Sequence, residues 1–289
     1  MKKILIIGGT GLIGTEIIKR LHDNFNIVSF SKNIPPKHLN KFQNVKFICG
    51  DVLNKSQLEK AFEGVELVIN LIGQIIQDEK LFEKINIEGN KNIIKLIKKH
   101  NVNLTILASS MLVYGETTKD GIEEKSKKNP KSKYGKIKSQ VEDIYLNSIN
   151  KVIILRFSNV YGNHQTKGIM SKIIQSIKEK KEINVPTKEK IRNYINSLDI
   201  AEAIEKIIRY NTPPSKIYNV CGIERTDTRD LIKLFELKSG HTLKKVFNDI
   251  EDENIVVGNT TLIENELNFK PKIKLEKGVI KILKNEKLL

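Results

Sequence analysis

The chain has 289 residues, 39% of them hydrophobic and 29% charged, which is enough apolar material for a large core. No apolar run approaches the roughly 20 residues of a membrane span, and the run after Met1 breaks into glycines too early for a secretory signal. The two cysteines, Cys49 and Cys221, exclude a disulfide scaffold, and the scattered histidines offer no metal-ligand spacing. We therefore expect a cytoplasmic protein without a metal.

The formal net charge is +16, from 50 basic and 34 acidic residues. Such a charge suits a polyanion such as nucleic acid. However, only six of the basic residues are arginines, there is no tryptophan, and aromatic residues make up 6% of the chain. Side chains that read base edges or stack on bases are therefore scarce. We interpret the charge as a lysine bias of the composition and rank nucleic-acid binding last among the functions considered.

Short β-branched runs alternate with amphipathic segments over the first two-thirds of the chain. Most runs are continuously apolar, which is typical of parallel strands buried on both faces. The predicted strands cover residues 3–7, 27–30, 45–48, 67–71, 104–108, 152–156 and 217–220. The predicted helices cover residues 12–21, 58–62, 82–97 and 133–146. This alternation predicts an α/β fold with a doubly wound parallel sheet, the Rossmann architecture, and right-handed crossovers.

The pattern loosens after about residue 160, where loop-like segments at 161–168, 184–189 and 211–215 separate shorter helices. We expect residues 1–160 to form the Rossmann domain, with some later segments, about 192–222, returning to it. Residues 161–289 are expected to form mainly a smaller, partly interleaved α/β domain that binds the substrate.

The first predicted strand runs directly into the sequence GGTGLIG at residues 8–14, and a helix follows at once. Gly9, Gly11 and Gly14 match G-x-G-x-x-G. Glycines permit the tight turn and the close approach of a pyrophosphate, and the helix N-terminus supplies N–H groups and positive potential. The strand–loop–helix context therefore predicts a dinucleotide site. The residues of this loop predicted to contact the cofactor are Gly8, Gly11, Leu12, Ile13 and Gly14.

The second predicted strand ends without the carboxylate that commonly binds the ribose of NAD. Its end reads SFSKN at residues 29–33. Hydroxyl groups and the ammonium of Lys32 suit a 2′-phosphate, so the cofactor is NAD or NADP, with NADP favoured. The alternative is that Lys32 is one more surface lysine.

Tyr134 and Lys138 stand four residues apart, which places them on one face of a predicted helix. A phenol has a pKa of about 10, and a nearby ammonium favours its ionised form. We therefore expect Lys138 to lower the pKa of Tyr134, so that the tyrosine can exchange a hydroxyl proton. Ser110 closes the fifth predicted strand, at the carboxyl edge where doubly wound sheets bind ligands.

Taken together, these motifs resemble the extended short-chain dehydrogenase/reductases, in particular the NAD-dependent epimerase/dehydratase family that modifies nucleotide sugars. Each match is modest alone, but their order along the chain is specific. The matching segments are residues 8–14, 50–52, 70–73, 86–89, 109–115, 134–138, 155–162, 192–199, 218–222 and 267–271.

The resemblance implies hydride transfer between a sugar carbon, most often C4, and the nicotinamide. Tyr134 would exchange the hydroxyl proton, Lys138 would hold the nicotinamide ribose, and Ser110 would orient the hydroxyl. Asn159 would contact the substrate and Arg192 its diphosphate. Further cofactor contacts are implied for Asp51, Val52, Leu71 and Gly73. The family's usual homodimer would form across helices 82–97 and 133–146.

Three departures from the family pattern narrow the activity. Met111 and Leu112 stand where sugar 4,6-dehydratases have an acidic pair, so dehydration is disfavoured. Leu112 also stands where 3,5-epimerising reductases have a cysteine, so that chemistry is disfavoured as well. Residues 248–254 are acidic where a further basic residue usually helps to bind the diphosphate. The chain is also somewhat short for a sugar epimerase, so we expect a reduced substrate lid.

The activities that remain are those of a UDP-glucose 4-epimerase-like epimerase and a 4-ketoreductase. The alternatives from other classes are a non-catalytic NAD(P)-binding sensor or assembly subunit and a polyanion binder.

Overall fold

The computed structural model describes residues 1–73, 78–210, 213–214, 216–249 and 253–289. Parts of the predicted loop 211–215 and of the acidic segment 248–254 lie outside these residues. The strands are β1 (Lys3–Ile7), β2 (Asn26–Ser31), β3 (Val45–Cys49), β4 (Leu67–Asn70), β5 (Leu104–Ser110), β6 (Val152–Phe157), β7 (Asn159–Tyr161), β8 (Ile183–Pro186), β9 (Ile191–Asn196), β10 (Ile217–Val220), β11 (Arg225–Asp227), β12 (Lys245–Asn248) and β13 (Ile255–Val256). The α-helices are α1 (Leu12–Leu21), α2 (Lys55–Glu59), α3 (Glu79–Lys99), α4 (Lys133–Ser148), α5 (Ile169–Glu179), α6 (Ser197–Tyr210), α7 (Thr228–Ser239), α8 (Thr261–Leu267) and α9 (Leu275–Asn285).

Seven parallel strands form the main sheet, in the order β10-β6-β5-β4-β1-β2-β3. Each of these strands pairs in parallel with its neighbours. The chain order reverses between β1 and β4, and ligands of doubly wound sheets bind beside that point, at the carboxyl ends of the strands. The predicted fold class and the seven predicted strands are confirmed, with ends that differ by one or two residues.

Both faces of the sheet are covered, which is why its strands are apolar along their length. On one face α1 packs against α6, with Ile17 and Ile204 fully buried among the side chains of alternate strand positions. On the other face lie α2, α3 and α4, with Phe62 and Ile93 in the core. Two apolar layers therefore fix the positions of the loops at the carboxyl edge of the sheet.

One predicted helix has different boundaries, and one predicted loop is partly a strand. The helix predicted at 58–62 is α2, and it begins earlier, because the side chain of Asn54 caps it by accepting a hydrogen bond from the Gln57 N–H. The loop predicted at 184–189 begins as a strand, β8, which pairs in parallel with β12. Only Ile183 and Val185 alternate inward before Pro186, so the pattern was too short to predict a strand.

The later part of the chain adds small sheets beside the main one. Strand β9 pairs with β7, β11 and β13, and β8 pairs with β12. Their apolar side chains join those of α5, α7 and α9 in a separate core that contains Ile173, Phe235 and Val279. Strand β10 lies at the edge of the main sheet, and the domain boundaries given above stay a prediction. No helix of the described residues is long and apolar enough to cross a membrane.

Candidate functional site

The glycine loop joins β1 to α1 and gives the N-terminus of that helix no side-chain cap. Gly8 has a φ of 87°, which favours glycine. A Cβ on Gly14 would lie 2.6 Å from the carbonyl oxygen of Gly8, so only glycine lets the helix approach the loop this closely. Gly11 is the N-cap and has no side chain to satisfy the first N–H groups, among them those of Leu12 and Ile13. This end of α1 can therefore accept an anionic group.

The end of β2 lies beside the same loop. The hydroxyl of Ser31 accepts a hydrogen bond from the Thr10 N–H at 3.2 Å, so it holds the glycine loop in place. Lys32 is exposed, and its Nζ lies 3.7 Å from Oδ2 of Asp51 at the end of β3. The other oxygen of Asp51 accepts from the Leu53 N–H, and Val52 is buried. The structure thus brings Lys32 and Asp51, both predicted cofactor contacts, next to each other.

Tyr134 and Lys138 lie in the first turns of α4, facing the residues that follow β4. Lys138 is buried and its Nζ donates to the carbonyl oxygens of Ile72, at 2.6 Å, and Ala108, at 2.8 Å. Its Nζ lies 6.0 Å from the centre of the Tyr134 ring. Leu71, one residue before Ile72, donates its N–H to the carbonyl of Ile7 just before the glycine loop. The tyrosine–lysine pair and the glycine loop therefore meet at one edge of the sheet.

The expected direction of the Tyr134 pKa is wrong for this arrangement. Burial raises the pKa of Tyr134 to about 12, and burial lowers the pKa of Lys138 to about 8. The carboxylate of Glu142 opposes the second shift. Burial removes water from around both groups, so placing a charge on either one costs free energy, and this cost sets the direction of both shifts. The pair can hold and pass a proton, but Lys138 changes its protonation state more readily than Tyr134 does.

Ser110 ends β5 on the same side, half-buried, and its Oγ accepts a hydrogen bond from the Leu112 N–H at 3.2 Å. Met111 is fully buried in an apolar cluster with Tyr114 and Cys221. An apolar side chain packed in this way cannot move a proton, so this position offers no acid or base for loss of water.

The structure does not bring Arg192 into the same group as Tyr134. Arg192 is buried, and its guanidinium donates to backbone carbonyl oxygens of Ile191, Glu253 and Asn254. Asn159 is exposed at the start of β7 and makes its strand contacts with β9. The roles predicted for Asn159 and Arg192 stay predictions.

A sequence model of the NAD dependent epimerase/dehydratase family matches residues 4–221, three quarters of the chain. The chain belongs to this family. It is 27% identical to a bifunctional UDP-glucose 4-epimerase and UDP-xylose 4-epimerase of Pisum sativum, over 95% of this chain and 93% of that one. A UDP-glucose 4-epimerase of Methanocaldococcus jannaschii, described as putative, is 26% identical over 97% of each chain.

Solved structures of the epimerase/dehydratase type share the fold along the whole chain. A UDP-glucose 4-epimerase of Thermus thermophilus in complex with NAD has a TM-score of 0.87 at 22% identity, covering 99% of each chain. The dTDP-glucose 4,6-dehydratase of Bacillus anthracis in complex with NAD has a TM-score of 0.90 at 20% identity, covering 99% of this chain and 97% of that one. At these identities the likeness shows a common fold.

The described residues fit the dinucleotide that the family implies. The glycine cradle has no room for a Cβ at Gly14, and the N-terminus of α1 carries no acidic residue in its first turn. A cavity of about 160 Å³ lies beside this cradle and is lined partly by Thr10, Ser31 and Cys49. Among the described residues there is no cluster of metal-binding side chains.

One polar group near the site was missed in the sequence. Glu142 stands one turn after Lys138 and is fully buried, where it pairs with Arg156. The helical spacing of Tyr134, Lys138 and Glu142 at intervals of four would have placed all three on one face. Its partner Arg156 lies 14 residues later and on a different element, β6, so the pairing itself could not be read from helical spacing.

Proposed function

We propose that the chain catalyses NAD(P)-dependent hydride transfer at C4 of a nucleotide-linked sugar, as a 4-epimerase. The observation that carries this proposal is the meeting of Tyr134 and Lys138 with Gly73 at the carboxyl edge of the sheet that also carries the glycine loop. A proton-exchanging phenol and an anion-binding helix end are the two parts that such a reaction needs side by side.

Each side chain has a separate task in the proposed reaction. As a phenolate, Tyr134 takes the proton of the sugar hydroxyl when the carbon is oxidised, and as the resulting phenol it returns that proton when the ketone is reduced. Lys138, fixed by two carbonyl groups, supplies the positive charge that favours the phenolate as the proton moves. Ser110 presents its hydroxyl to the same oxygen and orients it. When bound, the nicotinamide accepts and returns the hydride.

The substrate class rests on the relatives and on the absence of a dehydratase acid. Full-length relatives are named UDP-glucose 4-epimerases. A dTDP-D-glucose 4,6-dehydratase of Bos taurus is also similar, at 26% identity over 76% of this chain. Met111 and Leu112 occupy the positions of the acidic pair that dehydration needs, so we assign epimerisation rather than dehydration. Asn159 and Arg192 are proposed to contact the nucleotide sugar, with Arg192 exchanging backbone carbonyls for the diphosphate.

The choice of cofactor separates the epimerase from a second candidate, a 4-ketoreductase that consumes NADPH. The missing carboxylate at the end of β2 and the exposed ammonium of Lys32 favour a 2′-phosphate and hence the reductase. The solved structures of the Bacillus anthracis and Thermus thermophilus enzymes contain NAD. We propose tightly held NAD for the epimerase; exchangeable NADPH, released on dialysis, would assign the reductase.

The proposed function is tested with Tyr134→Phe, which removes the hydroxyl and keeps the ring. We expect turnover of UDP-glucose to UDP-galactose to fall by about 10² to 10⁴-fold, the usual contribution of a positioned proton-transfer group. Dinucleotide binding should change little. Tyr210→Phe is the matched control, because Tyr210 is 49% exposed at the end of α6, away from the site. Equal turnover in the Tyr134 variant and the wild type would overturn the assignment.

We also propose a homodimer that forms across α3 and α4. These two helices pack side by side, and Ile85 and Ile144 on them are only partly buried. Apolar surface left partly open on a helix pair can be covered by a second copy. Light scattering at micromolar concentration should give twice 33.0 kDa. A mass of 33.0 kDa would contradict the proposed dimer.

A further inference from the structure

Behind the site lies a buried polar group centred on the carboxylate of Glu142. Arg156 donates from Nε to Oε1 at 2.9 Å and from Nη2 to Oε2 at 2.7 Å. The hydroxyl of Ser109 donates to Oε1 at 2.5 Å, and Nζ of Lys128 lies 3.6 Å from Oε2. Glu142 and Arg156 are almost completely buried. The carboxylate is thus the negative centre of a set of cations inside the protein.

Lys138 is a further cation near this carboxylate, because it lies on the same helix as Glu142. It precedes Glu142 by four residues on α4, so the two side chains share one face. Arg156 keeps its proton at every accessible pH, since a guanidinium is not deprotonated in proteins. Lys128 is partly exposed and has Asp143 as a second partner. Lys138 is therefore the buried cation that can release a proton when the negative charge is removed.

Glu142 also acts on the strand that carries Ser110. Lys138 donates to the carbonyl oxygen of Ala108, and Ser109 donates to Glu142, so two consecutive residues at the end of β5 are held by α4. Ser110 is the next residue. A carboxylate that anchors this strand end fixes the direction in which the following hydroxyl points.

We propose that Glu142 is a positioning residue for the reaction, which keeps the proton on Lys138 and holds the strand end that presents Ser110. This inference rests on the proposed function, because it assigns a task to a side chain that does not touch the substrate. The charged and titratable groups that face the pair are Arg156 of β6, Lys128, Tyr114 and Glu124 of the segment between β5 and α4, and Tyr134 of α4 itself.

The test is the protonation midpoint of Lys138, read by NMR in protein labelled with ¹³C at the lysine ε-carbon. The signal is assigned by its loss in Lys138→Met. In Glu142→Gln we expect the midpoint to fall by about one pH unit or more, the effect of removing one nearby opposite charge. Asp143→Asn is the matched control, with the same change on the same helix but at an exposed side chain, and should leave the midpoint unchanged.

A second variant covers the case in which Glu142→Gln does not fold because Arg156 loses its partner. The double variant E142Q/R156Q removes both charges together and leaves two amides that can bond. Its Lys138 midpoint should still fall, but by less than in Glu142→Gln, because loss of the Arg156 charge acts in the opposite direction. An unchanged midpoint in either folded variant overturns the proposal, since a merely structural carboxylate would not control that proton.

Kinetics supply the second readout. In Glu142→Gln the alkaline limb of kcat should move to lower pH by the same amount as the Lys138 midpoint, while KM for the sugar stays the same at pH about 6, where Lys138 is protonated. Ser109→Ala should lower kcat without moving the limb; a wild-type kcat in this variant would refute the strand-end role. The NMR titration needs neither sugar nor dinucleotide, so failure of the proposed function would leave that part of the result readable.

Discussion

The Nζ atom of Lys138 lies so close to Gly73 that no side chain fits between them. A Cβ at residue 73 would clash with Nζ and would lie 3.5 Å from the hydroxyl oxygen of Tyr134. Gly73 also has a φ of 151°, in the range that favours glycine. The segment after β4 therefore packs against the first turns of α4 at Gly73, where only a glycine leaves room for Lys138. The position of the proposed proton-exchanging pair depends on this close packing.

Gly73→Ala should displace the ammonium of Lys138 and so reduce activity more than stability. Displacing a catalytic group by about 1 Å can cost about 10²-fold in rate, and the strained backbone costs about 1–3 kcal/mol of stability. Steady-state kinetics and thermal unfolding measure the two effects. Gly240→Ala is the control, because its φ is 70° and nothing lies within 4 Å of the added Cβ. An active Gly73→Ala enzyme would contradict the fit described above.

Activity should fall as the pH rises through about 8, where Lys138 loses its proton. The same shift affects stability. The folded pKa lies below the usual 10.5, so between about pH 8 and 10.5 the unfolded chain binds more protons and the contribution of Lys138 to stability rises with pH. Below that window the buried charge costs stability in full. Thermal unfolding measured at several pH values should show that the stability of the wild type rises relative to that of Lys138→Met over this range. A rate that stays constant up to pH about 9.5 would contradict the assignment.

Lys32→Ala should weaken binding of NADP and leave binding of NAD nearly unchanged. A single charge-assisted contact to a phosphate contributes about 1.5 kcal/mol, which is roughly a tenfold change in Kd. Titration of the emptied protein with both dinucleotides measures it. Lys37→Ala removes the same charge from a nearby exposed position and serves as the control. Equal losses in the two variants would show that Lys32 acts only through overall charge.

A thiol reagent should label Cys49 alone in the folded protein. Cys49 is exposed and its Sγ donates to the carbonyl oxygen of Lys32 at 3.1 Å, whereas Cys221 is fully buried. Burial also raises the pKa of Cys221 to about 12, so its thiolate is absent at neutral pH. Because Cys49 lines the cavity beside the glycine cradle, bound dinucleotide should slow its labelling. Mass spectrometry of intact Cys49→Ser protein should then find no label.

The main sheet could be predicted because its strands are apolar along their whole length and its glycine loop has a fixed relation to strand and helix. Continuous runs such as Ile4–Ile7 are required where both faces of a strand are buried. The small strands of the later part follow no such rule. Strand β8 buries only two alternating side chains before Pro186. Strand β9 is buried along its whole length although it carries Arg192, Asn193 and Asn196, so it shows no apolar run.

The spacing of Tyr134 and Lys138 could be read from the sequence, but the electrostatics around them could not. Tyr134 and Lys138 are recognisable from spacing, and helix α4 does carry them on one face. The expected lowering of the Tyr134 pKa failed because sequence spacing shows which charges are near but not how much water is excluded. For the same reason Arg192 could be named as a cation but not placed against the carbonyl groups of residues 253 and 254.

The most direct test of the central claim is the absorbance of reduced nicotinamide when a nucleotide sugar is added to the purified, dinucleotide-bound protein. UDP-linked and dTDP-linked hexoses are compared, in the wild type and in Tyr134→Phe. We predict that at least one sugar reduces the bound cofactor in the wild type, that the C4 epimer appears, and that the variant reduces it far more slowly. Absence of any binding of NAD or NADP, or no reduction by any of these sugars, would contradict hydride transfer at C4.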